Sequence, residues 1–263
     1  LAKGVSLKEI FLYYMGNEEG SNFKKANHML PFSVPIGTHL LHAAGIGYSI
    51  NYLKKDEVVF TFTGDGGTSE GDFSEALNFA AVWKAPVIFT IQNNQYAISV
   101  PVRNQTQSLN LAIKSYSYGI PGIKVDGNDF FAMYAVYKQA FEYVKAANGP
   151  VLIEAFTYRK GAHTTSDDPT KYRSKEEELE GEKTDPLKRM KKFIDQKGIW
   201  KEDEKKLLEK YKSEIDQQFS EAENLSPYQL EDVFRHTYVD MPDDLKKQKA
   251  EYEKFLKWKE DRK

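Results

Sequence analysis

Two short apolar runs with a helical pattern between them form the clearest signal in this chain. Residues 58–63 and 87–91 are mostly apolar or β-branched, which is typical of buried strands. Between these runs, apolar residues recur at helical spacing from Asp72 to Lys84. The pattern therefore predicts one strand-helix-strand unit.

Further elements on both sides of this unit extend the same alternation. Thr38 is expected to cap a helix of small residues, and the turn of residues 126–129 is expected to cap a helix over residues 130–147. Residues 123–125 and 150–158 are predicted to be strands, whereas residues 97–122 have no clear period and are predicted to be irregular. The order of these elements predicts an α/β fold with a doubly wound parallel sheet.

The composition changes at Tyr172, from which point lysine and glutamate dominate. Apolar residues continue there at helical spacing, and Asp185-Pro186 is typical of a helix start. We expect a sheet domain over residues 1–171 and a helical C-terminal extension over residues 172–263. The extension shows no evident chemistry and is interpreted as a surface that packs on the domain and on partner subunits.

Composition excludes several classes of function. The chain has 263 residues with 40% hydrophobic residues, which is compatible with a substantial core. A net charge of −2 argues against nucleic acid or an acidic membrane as a partner. Without cysteine there is no disulfide and no thiolate nucleophile. No apolar run approaches the length of a membrane span and no secretory signal is seen, so a soluble, cytoplasmic protein is expected.

Polar clusters follow both strands of the central unit. Gly64-Asp65-Gly66-Gly67 follows the first strand, and Asn93-Asn94 follows the second. Magnesium prefers oxygen ligands, which Asp65, the Asn94 amide and the Tyr96 carbonyl would supply. The glycines let backbone N–H groups approach a phosphate at the start of the next helix. Gly-Asp-Gly, 26 residues and then Asn-Asn is the thiamine-diphosphate signature. The alternatives are two turns without a ligand, or a dinucleotide site, which the spacing of the glycines fits less well.

Several motifs together resemble one protein family over nearly the whole chain. NNQYAISVP, YGIPGIKVDGND, TYRKGAHTTSDDPTKYRS and VDMPDDLKKQ resemble the alpha subunit of the thiamine-diphosphate-dependent 2-oxo acid dehydrogenases, with the branched-chain type closest. The resemblance implies a thiamine-diphosphate-binding fold and oxidative decarboxylation of a 2-oxo acid. It also implies transfer of the acyl group to the lipoyl domain of an acyltransferase core. A beta subunit would complete a two-alpha, two-beta heterotetramer, without which this chain is expected to be inactive. In a eukaryotic host the resemblance implies the mitochondrial matrix.

The resemblance also implies roles for individual residues. Magnesium would be held by Asp65, Asn94 and the Tyr96 carbonyl. Residues that would contact the cofactor are Ile36, Gly64, Asp65, Gly66, Gly67, Asn94, Tyr96, Ala97, Ile98, Arg159 and His163. Arg159 suits a phosphate because its planar group offers several donors. His163 would be the catalytic residue, as a general acid or as the group that orients the lipoyl acceptor.

Two further implications are weaker because the sequence departs from the family pattern. Ser33, Pro35 and Thr38 occupy positions that bind a structural potassium ion in branched-chain members, but His39 replaces an expected glutamine. Thr164 and Ser174 occupy positions of regulatory phosphoserines in eukaryotic members. A loop ordered by hydrogen bonds to Asp167 and Asp168 is the alternative explanation for that segment.

Three other functions compete with a branched-chain enzyme subunit. A pyruvate or acetoin dehydrogenase alpha subunit would use the same chemistry. A catalytically silent binding module would share the fold, although Asp65, Asn94 and His163 are all present. A self-sufficient decarboxylase or a transketolase-like enzyme would need both halves of the cofactor site in one chain, and 263 residues is short for that.

Overall fold

A computed structural model describes residues 1–32, 34–225, 229–234 and 237–262. A parallel sheet has the order β1 (Val59–Gly64), β2 (Val87–Asn93), β6 (Val151–Phe156), β5 (Gly122–Asp126). The short strands β3 (Tyr96–Ala97) and β4 (Val100–Pro101) form an antiparallel pair. The helices are α1 (Leu7–Tyr14), α2 (Thr38–Tyr52), α3 (Gly71–Val82), α4 (Val102–Gln105), α5 (Phe130–Lys145), α6 (Lys175–Lys183), α7 (Pro186–Lys197), α8 (Glu204–Glu223), α9 (Leu230–Phe234) and α10 (Asp243–Glu260). Short 3-10 helices span Glu18–Ser21, Gly66–Ser69, Ala112–Tyr118 and Pro169–Lys171.

Both faces of the parallel sheet are covered by helices. On one face, α2 and α3 pack against alternate residues of β2 such as Phe89 and Ile91. On the other face, Ala140 and Val144 of α5 pack against Ile88 and Ile153. Because β2 and β6 are central and covered on both sides, nearly all of their residues are buried, as their continuous apolar sequences require. The predicted α/β fold with a doubly wound parallel sheet is confirmed.

The first strand differs from its predicted burial. β1 lies at the edge of the sheet, and its phenylalanines Phe60 and Phe62 are 44% and 48% exposed. Thr61 and Thr63, which alternate with them, are buried instead. The expectation of a buried strand therefore holds only for the face with Thr61 and Thr63, because an apolar run does not reveal whether a strand is central or at an edge.

Two local predictions fail and one is confirmed. The cap of α2 is Gly37 and not Thr38, and Gly37 has a φ of 89°, a conformation that glycine adopts without strain. The turn of residues 126–129 caps α5 as predicted, through Asp129, whose side chain accepts hydrogen bonds from the N–H groups of Phe131 and Ala132. Residues 97–122, predicted to be irregular, contain β4, α4 and the 3-10 helix Ala112–Tyr118.

The chain packs as two compact units, Ser33–Lys201 and Leu1–Phe32 together with Glu202–Lys263. In the smaller unit, α1 packs against α8, with the rings of Phe11 and Phe219 edge to face and 5.3 Å apart between centroids. All regular structure described after residue 172 is helical, as predicted. The predicted domain boundary lies between residues 171 and 172. The two compact units describe how the chain packs and do not test this boundary, which stays a prediction.

Within the described ranges, none of the helices is both long and apolar enough to span a lipid bilayer.

Leu77 offers a test of the core between α3 and the sheet. Its side chain is fully buried, so Leu77→Ala should lower the free energy of unfolding by about 2–5 kcal/mol through lost apolar contact and a cavity. The matched control is Leu187→Ala, since Leu187 is also helical but 79% exposed, and its effect should stay within about 0.5 kcal/mol. Urea unfolding of the isolated chain measures both, and equal effects would contradict this assignment of the core.

Candidate active site

The parallel register brings three strand ends to one edge of the sheet. Gly64 at the end of β1 pairs with Gln92, and Asn93 at the end of β2 pairs with Phe156 at the end of β6. Asp65, Asn94 and the segment leading to Arg159 therefore all follow strands that end side by side. In open parallel sheets, ligands bind beyond this edge.

Asp65 is a buried carboxylate with only one satisfied oxygen. The residue is 1% exposed, and its Oδ2 accepts a hydrogen bond from Gln105 Nε2 at 2.9 Å. Its Oδ1 is buried and has no hydrogen-bond partner among the residues that the structure describes. Burial raises the pKa of Asp65, although the Gln105 hydrogen bond and the charge of Arg159 oppose this rise. The arrangement leaves one carboxylate oxygen as a ready ligand for a cation.

Two glycines after Asp65 allow close packing around this carboxylate. A Cβ on Gly66 would lie 2.8 Å from the Cβ of Ala97, so a larger residue would push β3 away. A Cβ on Gly67 would lie 2.1 Å from Thr63 Oγ1 and 3.4 Å from Ile36. Gly64, in contrast, faces open space. The structure thus brings Gly66 beside Ala97 and Gly67 beside Ile36.

The turn after β2 carries the other two predicted metal ligands. The Asn94 Oδ1 accepts a hydrogen bond from the Tyr96 backbone N–H at 3.2 Å. Gln95 and Ile98 have φ values of 76° and 56°, which non-glycine residues adopt only where the surroundings hold them. The Tyr96 hydroxyl donates to Glu177 of α6 at 2.7 Å. Burial, followed by this contact with Glu177, raises the pKa of Tyr96 to about 12.

Arg159 lies against this turn. Its guanidinium donates hydrogen bonds to the carbonyls of Tyr96, at 3.2 Å, and Ile98, and to the Tyr172 hydroxyl at 2.9 Å. Its Nε is buried, and no described residue is hydrogen-bonded to it. A cation at the Tyr96 carbonyl would compete with the guanidinium for the same oxygen.

His163 is not joined to the other site residues through its side chain. Its backbone N–H donates to Asp167 Oδ2 at 2.8 Å, and the Tyr172 hydroxyl donates to the same oxygen at 2.6 Å. These two bonds, that of the His163 N–H first, lower the pKa of Asp167. Its imidazole is exposed, and no hydrogen bond of this ring is found among the described residues. The Ile36 side chain is also mostly exposed, at 64%.

The donor set at the edge fits a magnesium-diphosphate group. One carboxylate, one amide oxygen and one carbonyl leave several positions of an octahedral ion for phosphate oxygens or water. Among the described residues, no three His, Cys, Asp or Glu side chains are grouped so as to hold a metal by themselves. A single carboxylate therefore needs an anionic ligand to balance a divalent ion.

The potassium prediction rests partly on Ser33, which lies outside the described residues. Of the other positions, Thr38 donates its hydroxyl hydrogen bond to Asp72 at 2.9 Å. His39 Nε2 lies 2.6 Å from the Phe62 carbonyl oxygen.

Sequence reasoning missed three residues that support the site. Gln105 holds Asp65, Lys114 donates to the carbonyl and hydroxyl of Thr68, and Glu154 binds Asn93. Gln105 and Lys114 lie in the segment predicted to be irregular, where no pattern identifies them. Glu154 had a signal, because it is a lone charge in an apolar strand.

Comparison with known proteins gives a consistent result. The family model described as "Dehydrogenase E1 component" matches residues 1–231. The chain is 47% identical over 259 residues to "Pyruvate dehydrogenase E1 component subunit alpha" of Acholeplasma laidlawii, covering 97% of this chain and 75% of that protein. The protein of the same name from Mycoplasma pneumoniae is 42% identical, with 98% and 72% covered. That from Staphylococcus aureus is 44% identical, with 93% and 67% covered.

Asp65 should make the metal-free protein less stable at neutral pH. Because its folded-state pKa is raised, the stability it contributes is present below the ordinary value of 3.8 and is lost as the pH rises through the raised value. Asp65→Asn should therefore raise the free energy of unfolding at pH 7 and remove this loss. Urea unfolding of the metal-free chain between pH 4 and 7, in the presence of a chelator, measures both effects.

Asp167→Asn is the matched control with the opposite sign. The lowered pKa of Asp167 means that its contribution is present above the ordinary value and is lost as the pH falls through the folded value. This variant should therefore lower stability at pH 7. If Asp65→Asn also lowered the free energy of unfolding at pH 7, burial of the Asp65 carboxylate would not destabilise the metal-free chain, and the prediction would be wrong.

Proposed function

The chain belongs to the dehydrogenase E1 component family and is a 2-oxo acid dehydrogenase alpha subunit. We propose that its substrate is pyruvate and that its cofactor is thiamine diphosphate with Mg²⁺. The observation that carries the cofactor assignment is the unpaired Oδ1 of Asp65, which is buried at the ligand-binding edge of the sheet. The names of the relatives at 42–47% identity support pyruvate. They favour this alternative over the branched-chain type that the sequence motifs most resemble.

In this proposal the chain holds the diphosphate end of the cofactor. Asp65 Oδ1, Asn94 Oδ1 and the Tyr96 carbonyl bind Mg²⁺, and the backbone around Gly64, Gly66 and Gly67 admits the phosphates. Ala97, Ile98 and Ile36 line the cofactor. Thiamine diphosphate, when bound, supplies the carbon nucleophile that decarboxylation of a 2-oxo acid requires. A structural potassium ion near Pro35 and Thr38 is also part of the proposal.

Arg159 and His163 have separate roles. Arg159 already donates to the carbonyls of Tyr96 and Ile98, so its charge lies beside the proposed metal ligands. Its planar set of donors suits the diphosphate oxygens, which would take the place of these carbonyls. His163, exposed on its loop, is available to protonate or orient the acceptor at the entrance of the site.

The proposal also includes the partners of such a subunit. A beta subunit completes the two-alpha, two-beta enzyme and covers the other end of the cofactor, and the lipoyl domain of an acyltransferase core receives the acyl group. The many exposed aromatic residues, among them Tyr48, Tyr52, Phe79 and Trp83, are consistent with a chain that buries more surface on assembly.

The cofactor assignment predicts a severe loss of activity for Asp65→Ala. Removing a metal ligand should reduce Mg²⁺-dependent turnover by more than the roughly 10- to 100-fold typical of an outer-shell partner. The assay is dye-linked oxidative decarboxylation by this chain co-purified with its beta subunit, with thiamine diphosphate and Mg²⁺ titrated separately. Asp126→Ala is the matched control, because Asp126 also ends a strand at this edge but pairs with Arg189. If Asp65→Ala kept as much activity as Asp126→Ala, Asp65 would be rejected as a metal ligand.

The substrate assignment predicts a preference for pyruvate. Its kcat/KM should exceed that of branched-chain 2-oxo acids by about tenfold or more, since each methylene in an apolar pocket changes specificity by that order. A preference for branched substrates would restore the branched-chain assignment. If the assembled complex bound no thiamine diphosphate and turned over neither substrate, the chain would be the silent binding module.

A further inference from the structure

Glu154 is a buried charge whose two carboxylate oxygens both accept hydrogen bonds. It lies in the central strand β6 and is 1% exposed. Its Oε1 accepts a hydrogen bond from Asn93 Nδ2 at 2.8 Å, and its Oε2 accepts from the backbone N–H groups of Leu111 and Ala112 at 2.8 and 2.9 Å. A buried carboxylate is tolerated only with such donors. The strand thus holds a charge that an apolar residue would avoid, which calls for a specific role.

Asn93 transmits this contact to the turn that carries Asn94 and Tyr96. Its side chain is bonded at both ends, because Oδ1 accepts the Gln95 N–H at 2.9 Å, and the residue is 2% exposed. Its carbonyl accepts the N–H of Thr157 at 2.8 Å. Gln95 needs this support, since its φ of 76° is unfavourable for a side chain with a Cβ.

The donors to Glu154 Oε2 also lead to the other half of the site. Leu111 is the N-cap and Ala112 the first residue of the 3-10 helix that carries Lys114. Lys114 Nζ donates to the Thr68 carbonyl at 2.9 Å, and Thr68 in turn donates to the Asp65 carbonyl through its N–H and its hydroxyl, at 3.1 and 2.8 Å. One short segment therefore contacts both the Asp65 turn and, through Glu154, the Asn93 turn.

We propose that Glu154 is a positioning residue, which fixes the turn of residues 93–96 through Asn93 so that Asn94 and Tyr96 face Asp65 across the metal site. The inference rests on the proposed function, since it concerns the geometry of the metal ligands assigned there. Glu154 itself contacts neither metal nor substrate. Outer-shell partners of this kind orient ligands and tune metal affinity.

The pair allows a test by exchanging donor and acceptor. In Glu154→Gln, the new amide NH2 group faces donors in either orientation, so one bond is lost if it faces Asn93 and two are lost if it faces Leu111 and Ala112. In Asn93→Asp, two carboxylates face each other. In the double variant Asn93→Asp/Glu154→Gln, the introduced glutamine donates to the introduced aspartate and accepts from Leu111 and Ala112. The introduced aspartate still accepts the Gln95 N–H, so the double variant restores every bond and keeps the net charge.

The experiment replaces Mg²⁺ with Mn²⁺ in the assembled enzyme with thiamine diphosphate. Electron paramagnetic resonance then measures the affinity for Mn²⁺ and the spectrum of the bound ion. Each single variant should weaken Mn²⁺ affinity by roughly 10- to 100-fold and change the spectrum of the bound ion. The double variant should recover both. Thr90→Val is the control for general destabilisation, because Thr90 is similarly buried in β2 and hydrogen-bonded to the Tyr137 hydroxyl at 2.7 Å on the face toward α5. It should lower the unfolding temperature and leave Mn²⁺ binding unchanged.

The outcomes separate this inference from the proposed function. If wild-type enzyme binds no Mn²⁺ with thiamine diphosphate, the proposed function fails. If wild-type enzyme binds and Glu154→Gln binds equally well, the function stands and the positioning role is rejected. Weak binding in the single variants without recovery in the double variant, or equal loss in Thr90→Val, would also reject it. Loss in both single variants with recovery of affinity and spectrum in the double variant is the expected result.

Discussion

The parallel pairing of β1, β2 and β6 is the constraint on which the candidate site depends. The paired residues Gly64 and Gln92, and then Asn93 and Phe156, end these strands at the same edge. Backbone pairing thereby makes neighbours of residues that are far apart along the chain, and no contact between their side chains is needed for this. Both faces of the sheet are covered, so the strand ends are held by the core and only the turns beyond them remain to be positioned.

Two buried carboxylates near this edge show how the protein divides stability from function. Glu154 receives hydrogen bonds from Asn93, Leu111 and Ala112, which offset the cost of its desolvation. Within the described ranges, Asp65 receives one side-chain hydrogen bond, from Gln105, and keeps a buried oxygen without a partner. A protein selected for stability alone would treat both groups alike. The difference is explained if a cation binds the unpaired oxygen of Asp65. A cation that binds only the folded chain would raise its free energy of unfolding.

The sheet and the candidate ligand positions could be predicted from the sequence because both depend on short-range patterns. The apolar runs identified β1 and β2, and the glycines and asparagines beyond them identified the turns. The edge position of β1 could not be predicted, because Phe60 and Phe62 look the same whether a neighbour covers them or not. Nor could Gln105 and Lys114, since each acts on a residue far away along the chain through its side chain alone. Such contacts depend on how residues 97–122 fold over the edge of the sheet, and the apolar residues of that segment show no helical or strand periodicity.

The chemistry collected at the edge also explains why the motifs and the relatives point to different substrates. Asp65, Asn94, the Tyr96 carbonyl, the glycines and Arg159 are all suited to a metal ion and a diphosphate. The proposed cofactor supplies these groups whichever 2-oxo acid is the substrate. Discrimination between pyruvate and a branched 2-oxo acid requires an apolar pocket shaped to one or a few methylenes, and each methylene contributes only about 1–3 kcal/mol. None of the groups assigned to the cofactor can provide that difference. Resemblance in these residues therefore indicates the reaction and not its substrate, whereas identity over the whole chain also includes residues outside the cofactor site. For this reason the relatives carry more weight than the motifs in the assignment of pyruvate.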